Sequence, residues 1–286
     1  MKAPGKVSAE RIELLSRNQR RLVMLGSRLF PDWMAKQAEA VLTRPRRRRG
    51  RAGEVLDALA RRRDLALGDA RLATWSLGDA NAPRVVLTHG WGGYGAQLLP
   101  FARALLAQGY GVDVFDHLGH GESDGRGGAL PDFIAGLGAV IAAGPQPFAI
   151  VAHSMGGAAA LQAVRNGSPC SALVVIGAPA SFDIHLKTLS RRVGLGRSAQ
   201  RSLRKRLERR YVPVAELDRL DLFPVERTRA MFVHDRDDRE VAFAHVETLH
   251  RAWRGSRMLA TEGLGHHRIL RDPGVVEAVA AFIAGT

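Results

Sequence analysis

The chain has 286 residues, 46% of them hydrophobic, and a formal net charge of +14. Length and apolar fraction fit one large α/β domain or at most two small ones, and exclude a chain disordered in bulk. The single cysteine, Cys170, excludes an intrachain disulfide, and no apolar run approaches the ~18–20 residues of a membrane span.

The positive charge is localised. Residues 1–60 carry eight more Lys+Arg than Asp+Glu, residues 180–229 carry seven more, and the remainder is close to neutral. Solvated basic faces are the plain reading. Weak association with an anionic membrane surface, or a grip on a phosphorylated ligand, is the sharper one. Arg20 and Arg21 precede only the short run Leu22–Leu25, which Arg28 soon interrupts. No signal peptide is read there, and a cytoplasmic location is expected.

In chain order, Ile12, Leu15, Leu22, Leu25 and Leu29 recur at helical spacing and predict a helix over 7–29. Phe30-Pro31-Asp32 breaks it, and a second helix is expected over 32–42. Arg44-Pro45-Arg46-Arg47-Arg48-Arg49-Gly50-Arg51 repels itself and reads as an exposed linker. No aromatic residue interleaves with it for base stacking and no recognition-helix pattern accompanies it, so no nucleic-acid partner is expected. From residue 70 onward strands and helices alternate. Strands are expected at Arg71–Trp75, Arg84–His89, Gly111–Asp116, Pro147–Val151, Ala172–Gly177, Met231–His234 and Arg257–Ala260, with helices over 98–108, 131–143, after Ser154, and over 275–284. Continuous apolar strands alternating with helices mean a mostly parallel sheet covered on both faces. The interval from Ile176 to Met231 is too long for a simple crossover. Within it Ala199, Leu203, Leu207 and Tyr211 form one apolar helical stripe, with arginines over the other faces. This predicts a helical insertion at the ligand-binding edge of the sheet. The expected division is a helical, Arg-rich extension at 1–65, a core at 66–179 and 230–286, and a basic helical cap at 180–229.

Val151-Ala152-His153-Ser154-Met155-Gly156-Gly157 lies between a buried strand and a helix. Strand, sharp turn, serine, helix is the form of a nucleophile elbow, with Ala152 in the first glycine position of G-x-S-x-G. A serine hydroxyl needs a base, and the base an orienting acid. Gly263-Leu264-Gly265-His266-His267 follows the last strand and offers His266 as the base, with His267 as the alternative. His234-Asp235-Arg236-Asp237-Asp238 follows the preceding strand. Asp238 is the favoured acid, with Asp237 and Asp235 in the same loop and Asp183 more remote. The oxyanion hole needs two backbone N–H groups, assigned to Met155, after the serine, and to Trp91 in His89-Gly90-Trp91-Gly92-Gly93.

These pieces, together with Asp116-His117-Leu118-Gly119-His120-Gly121-Glu122-Ser123, resemble the α/β-hydrolase fold family in its order of nucleophile, acid, histidine. The resemblance covers about residues 70–286, in the branch of serine esterases, lipases and thioesterases. It implies an eight-stranded, mostly parallel sheet flanked by helices, a cap inserted after the sixth strand, catalytic roles for Ser154, Asp238 and His266, and an oxyanion role for the Trp91 and Met155 amides. A serine at the elbow argues against the dehalogenase and epoxide hydrolase branches, which carry aspartate there.

Gly90-Trp91-Gly92-Gly93-Tyr94-Gly95 also fits G-x-G-x-x-G, with Asp116 ending the next strand, but a dinucleotide site would leave the elbow and the Gly-His loop unexplained. No cofactor is expected. No metal is expected either, since the histidines lack ligand spacing and there is no Cys pair. The expected activity is cleavage of a small-molecule carboxylic ester through an acyl-enzyme. The alternatives are an acyl-CoA or other thioester hydrolase whose basic cap grips phosphate, and a non-catalytic module that binds anionic lipid.

Overall fold

The computed structural model describes residues 15–45, 51–168, 170–211, 213–220, 223 and 227–285. Residues 7–14 of the first expected helix and 46–50 of the expected linker lie outside them.

Two helices open the described chain, α1 (Arg17–Leu29) and α2 (Pro31–Thr43). Ser16 starts α1 through a capping box: its hydroxyl accepts from the Gln19 N–H, and the Gln19 side chain accepts from the Ser16 N–H. Pro31 stands at the first turn of α2, where a missing N–H costs nothing. Then come α3 (Arg51–Leu59), β1 (Arg61–Leu67), β2 (Ala70–Leu77), β3 (Arg84–Thr88), α4 (Leu99–Ala107), β4 (Gly111–Phe115), α5 (Leu130–Ala142), β5 (Ala149–His153), α6 (Met155–Arg165) and β6 (Ala172–Ile176). Helices α7 (Phe182–Arg192), α8 (Arg197–Arg210) and α9 (Val214–Leu217) separate β6 from β7 (Arg229–Asp235). The chain closes with α10 (Ala244–Ala252), β8 (Arg257–Thr261), α11 (Gly265–Arg268) and α12 (Pro273–Ala284).

The eight strands form one sheet in the order β1-β2-β4-β3-β5-β6-β7-β8. The β1/β2 and β2/β4 pairs are antiparallel, and every pair from β4 to β8 is parallel. All of β5 and β6 is buried, as continuous apolar runs require when helices cover both faces. One core cluster packs α4 and α12 against the sheet, and a second packs α5, α6 and α10 against the other face. Among the described residues no helix is long and apolar enough to cross a membrane.

Two features depart from the sequence reading. Strand β1 begins at Arg61, inside the 1–65 segment read as a helical extension. Its sequence, Arg-Arg-Arg-Asp-Leu-Ala-Leu, is a mostly exposed edge with no apolar alternation, so it carried no strand signal. The N-terminal helices are also not separate from the insertion. Ala35 of α2 is buried in one cluster with Leu186, Leu195, Ala199, Leu203 and Leu207 of the α7–α8 region, with Val23, Met34, Ala38 and Leu42 against it. The stripe of α8 therefore seats on α2. Burying each such leucine stabilises by about 1.5–3 kcal/mol. The carboxylate of Glu39 completes the contact, accepting from Arg206 at 2.6 Å and Arg210 at 3.5 Å.

Candidate active site

Ser154 sits between β5 and α6 with φ 54° and ψ −121°. It is the one non-glycine residue at positive φ among those described. Such a conformation costs about 1–3 kcal/mol and persists only where its surroundings enforce it. Here they do. The Ser154 N–H donates to the Ile176 carbonyl at 2.8 Å, and the Ser154 carbonyl accepts from Ala158 at 3.1 Å. A Cβ on Gly156 would stand 2.4 Å from the His89 carbonyl oxygen and one on Gly157 2.6 Å from the Ala178 Cβ, so glycine alone lets α6 start this close to the strands. Ala152, the departure from the elbow pattern, is fully buried in β5, where its methyl fits.

His266 reaches Ser154 from the loop after β8. Gly263 and Gly265 adopt φ 77° and 63°, which folds the loop back over the sheet edge. The Ser154 Oγ to His266 Nε2 distance is 3.0 Å, and His266 Nδ1 to Asp238 Oδ2 is 2.6 Å. His153 Nε2 donates to the His266 carbonyl at 3.0 Å, tying this loop to the elbow itself.

The three carboxylates at the end of β7 and in the loop after it divide their work. Asp238 is buried. Its Oδ1 accepts from the Glu240 and Val241 amides at 2.7 and 2.9 Å, while Oδ2 faces His266 and stands 3.4 Å from His234 Nε2. Burial pushes its carboxyl upward, but the hydrogen bonds from His234 and His266 outweigh this and hold it well below the usual carboxylate range. Asp235 instead accepts from Thr261 Oγ1 at 2.7 Å and the Leu264 amide at 3.0 Å, and Asp237 from the Gly263 amide at 2.9 Å. Both anchor the histidine loop. Asp183 lies on α7, bound to Lys187 and, at 2.7 Å, to Arg204. His267 turns from Ser154 to Glu240, at 2.9 Å.

The loop after β3 abuts the serine. Gly90 packs on Ser154, and the Gly93 N–H donates to the Gly90 carbonyl at 3.0 Å, closing a turn that contains Trp91. Met155 is the first residue of α6, so its amide belongs to the helix N-terminus, where N–H groups have no partner within the helix. The 116–123 segment frames this loop. His120 Nε2 accepts from the Gly92 amide at 3.0 Å while its Nδ1 donates to the Leu118 carbonyl at 2.9 Å. His89 Nδ1 donates to the Gly90 carbonyl at 2.7 Å, leaving Nε2 to accept from the His117 amide at 3.0 Å. Burial lowers His89 to about 4 and drives His117 and His153 well below the usual imidazole range, so all three are neutral at pH 7. Asp116, the candidate ribose ligand of the dinucleotide pattern, binds the Gly95 amide at 2.6 Å and the Glu122 amide at 2.8 Å.

Glu240 was not singled out in the sequence. Its Oε2 lies 3.8 Å from His266 Nε2, on the Ser154 side of the ring. The available signal was a carboxylate two residues after the candidate acid. Burial pushes its carboxyl up, but the hydrogen bond from His267 and the charge of His266 leave it below the usual range. Among the described residues no group of three His, Cys, Asp or Glu side chains is arranged to hold a metal ion.

Residues 79–280 match the sequence profile of a family described as serine aminopeptidase, S33. The chain belongs to this family of α/β hydrolases, and it is a hydrolase of that fold. No curated protein sequence matches it. Among solved structures it is similar to the Pyrococcus furiosus esterase Pf2001, with 17% identity, TM-score 0.65, and coverage of 84% of this chain and 98% of the esterase. It is also similar to a membrane phospholipase A described as a bacterial virulence factor, with 17% identity, TM-score 0.62, and coverage of 93% and 95%. The thioesterase domain from the curacin biosynthetic pathway aligns with 17% identity and TM-score 0.58, over 79% of this chain and 99% of that domain. At these identities the likeness is one of fold.

Proposed function

We propose that the protein is a serine hydrolase of carboxylic esters that works through an acyl-enzyme. The carrying observation is the continuous hydrogen-bonded chain from Ser154 Oγ through the His266 ring to Asp238. With Asp238 accepting at Nδ1, His266 holds its proton there and presents a bare Nε2 to the serine hydroxyl. Ser154 Oγ then attacks the acyl carbon as its proton passes to Nε2. Asp238 stabilises the imidazolium that forms. The oxyanion is held by the Trp91 and Met155 amides. His266 returns the proton to the departing alcohol, and water resolves the acyl-enzyme by the same steps in reverse. Glu240 adds negative charge beside the imidazolium.

A small, mostly apolar cavity favours an apolar acyl group. Its wall includes Ala158, one turn along α6 from Ser154, with Leu130, Leu161, Phe182, Leu220 and Phe223, and it also carries Gln162 and Arg219. A thioester substrate is the second reading, favoured by the arginine excess on α8 and by the thioesterase among the similar folds. Against it, Arg204, Arg206 and Arg210 already bind Asp183, Glu208 and Glu39.

The test is fluorophosphonate labelling with site mapping, alongside p-nitrophenyl butyrate turnover of the wild type and Ser154→Ala. The label is expected on Ser154, and the variant is expected to lose at least about 10³-fold in kcat. A label elsewhere, or full turnover by Ser154→Ala, overturns the proposal. Butyryl-CoA compared with the nitrophenyl ester at low and high salt decides between the two substrates.

A further inference from the structure

The stripe that announces α1 in the sequence is not its buried face. Val23, Gly26 and Ser27 turn inward, whereas Leu22, Leu25 and Leu29 are 68%, 53% and 62% exposed. The ridge continues past the helix end into Phe30 and Trp33, 63% and 59% exposed. Exposed leucines scattered singly need no explanation, but five large apolar side chains in succession along one hairpin do.

The charges around the ridge identify its occupant. Residues 15–45 contain two carboxylates, Asp32 and Glu39, and both point at the cap. Ser202 donates to Asp32 at 2.6 Å, and Glu39 holds Arg206 and Arg210. The outer side keeps Arg17, Arg21, Arg28 and Lys36, all exposed. At 100° per residue Arg21 and Arg28 border the leucine stripe. An apolar ridge edged by cations, with neither carboxylate of the described residues 15–45 on its side, fits a surface that is anionic at its face and apolar beneath. A second copy of this chain would bring the same cations to the contact and be repelled.

We propose that the outer face of the α1–α2 hairpin docks the protein on anionic lipid bilayers. The ridge seats at the acyl boundary and the arginines meet lipid phosphates. The weak membrane association expected from the basic 1–60 and 180–229 segments is thereby given to named residues of the hairpin. Because α2 is packed on α8, docking also brings the cap to the bilayer. This goes beyond the proposed esterase reading and stands whether or not Ser154 is the nucleophile.

Co-sedimentation of the full chain with vesicles tests it, using phosphatidylcholine alone and phosphatidylcholine mixed with phosphatidylglycerol. The wild type is expected to partition onto the mixed vesicles, and less so as salt rises. Leu25→Ser with Leu29→Ser is expected to weaken partitioning by at least about tenfold, and Arg21→Gln with Arg28→Gln by about fivefold per arginine. Arg251→Gln, on α10, is expected to leave it unchanged. All four hairpin side chains are exposed, so the variants keep wild-type turnover of a soluble ester and a wild-type melting temperature. Failure of the wild type to bind mixed vesicles overturns the proposal, as does equal binding by the leucine variant. A lipid-free dimer that the leucine pair abolishes overturns it too, and assigns the face to self-association.

Discussion

Gly90→Ala tests how tightly the loop after β3, to which the proposed mechanism gives one oxyanion contact, is set against the elbow. Gly90 is not held at positive φ, so its backbone accepts alanine and the perturbation is steric. The added Cβ would lie 2.7 Å from Ser154 Cβ, 3.1 Å from His153 Nδ1 and 3.2 Å from Ser154 Oγ. Relaxed carbon–carbon contact needs at least about 3.5 Å, so something moves by about 0.8 Å. The elbow does not yield, because Ser154 is pinned by the Ile176 carbonyl and the start of α6 is jammed against His89. The loop moves instead and carries the Trp91 amide with it. A shift of about 1 Å in such a group costs on the order of 10²-fold in rate. Overpacking costs a further ~1–3 kcal/mol of stability, a fall of several degrees in Tm. The assay is kcat and KM for p-nitrophenyl butyrate, with calorimetry on the same samples. A kcat/KM within about threefold of wild type, with an unchanged Tm, refutes the reasoning.

The contrasting glycine is Gly138 in α5, where an added Cβ meets no atom within 4 Å and φ is not positive. Gly138→Ala is expected to stabilise by about 0.4–1 kcal/mol without touching turnover, measured by urea unfolding. Glu39→Ala removes the acceptor shared by Arg206 and Arg210. Both arginines are more than a third exposed, so screening limits the expected loss to about 1 kcal/mol, with faster amide exchange over 31–43. His89 predicts the pH response. Its folded pKa, about 4, lies below the unfolded value near 6.5, so the unfolded chain binds more protons in that interval. The stability is present above pH 6.5 and is lost as pH falls towards 4. The loss at pH 5 is about 2 kcal/mol from this group, and His117 and His153 act in the same direction. Urea midpoints that stay flat from pH 7 to 5 contradict it.

What the sequence disclosed follows from how many constraints each residue satisfies. Strands β3, β5, β6 and β7 are buried on both faces, so apolar content alone announced them. Ser154 and His266 sit in turns that only small neighbours permit, and Gly156, Gly263 and Gly265 wrote those turns into the chain. Three aspartates share one loop, so residue type favoured Asp238 without excluding its neighbours. The structure separates them, since Asp235 and Asp237 are taken by Thr261, Leu264 and Gly263. Strand β1 stayed hidden because an exposed edge needs no apolar residues. The seating of α2 on α8 stayed hidden because each stripe is complete in itself, and nothing local says which stripe it meets. Glu240 was invisible for a similar reason, since its significance lies in its distance from a histidine 26 residues later in the chain.

The Glu39–Arg206 contact joins residues 167 positions apart, and this orders events during synthesis. At about 5–20 residues per second, α2 leaves the ribosome roughly 10 to 30 s before the helix that covers it. Through that interval Ala35, Ala38 and Leu42 have no partner, and the Glu39 carboxylate remains in water. A nascent chain halted before Arg197 would display both faces of the hairpin at once, the inner one meant for α8 and the outer apolar ridge. Chaperone dependence is therefore expected to peak midway through translation and to fall sharply once α8 emerges.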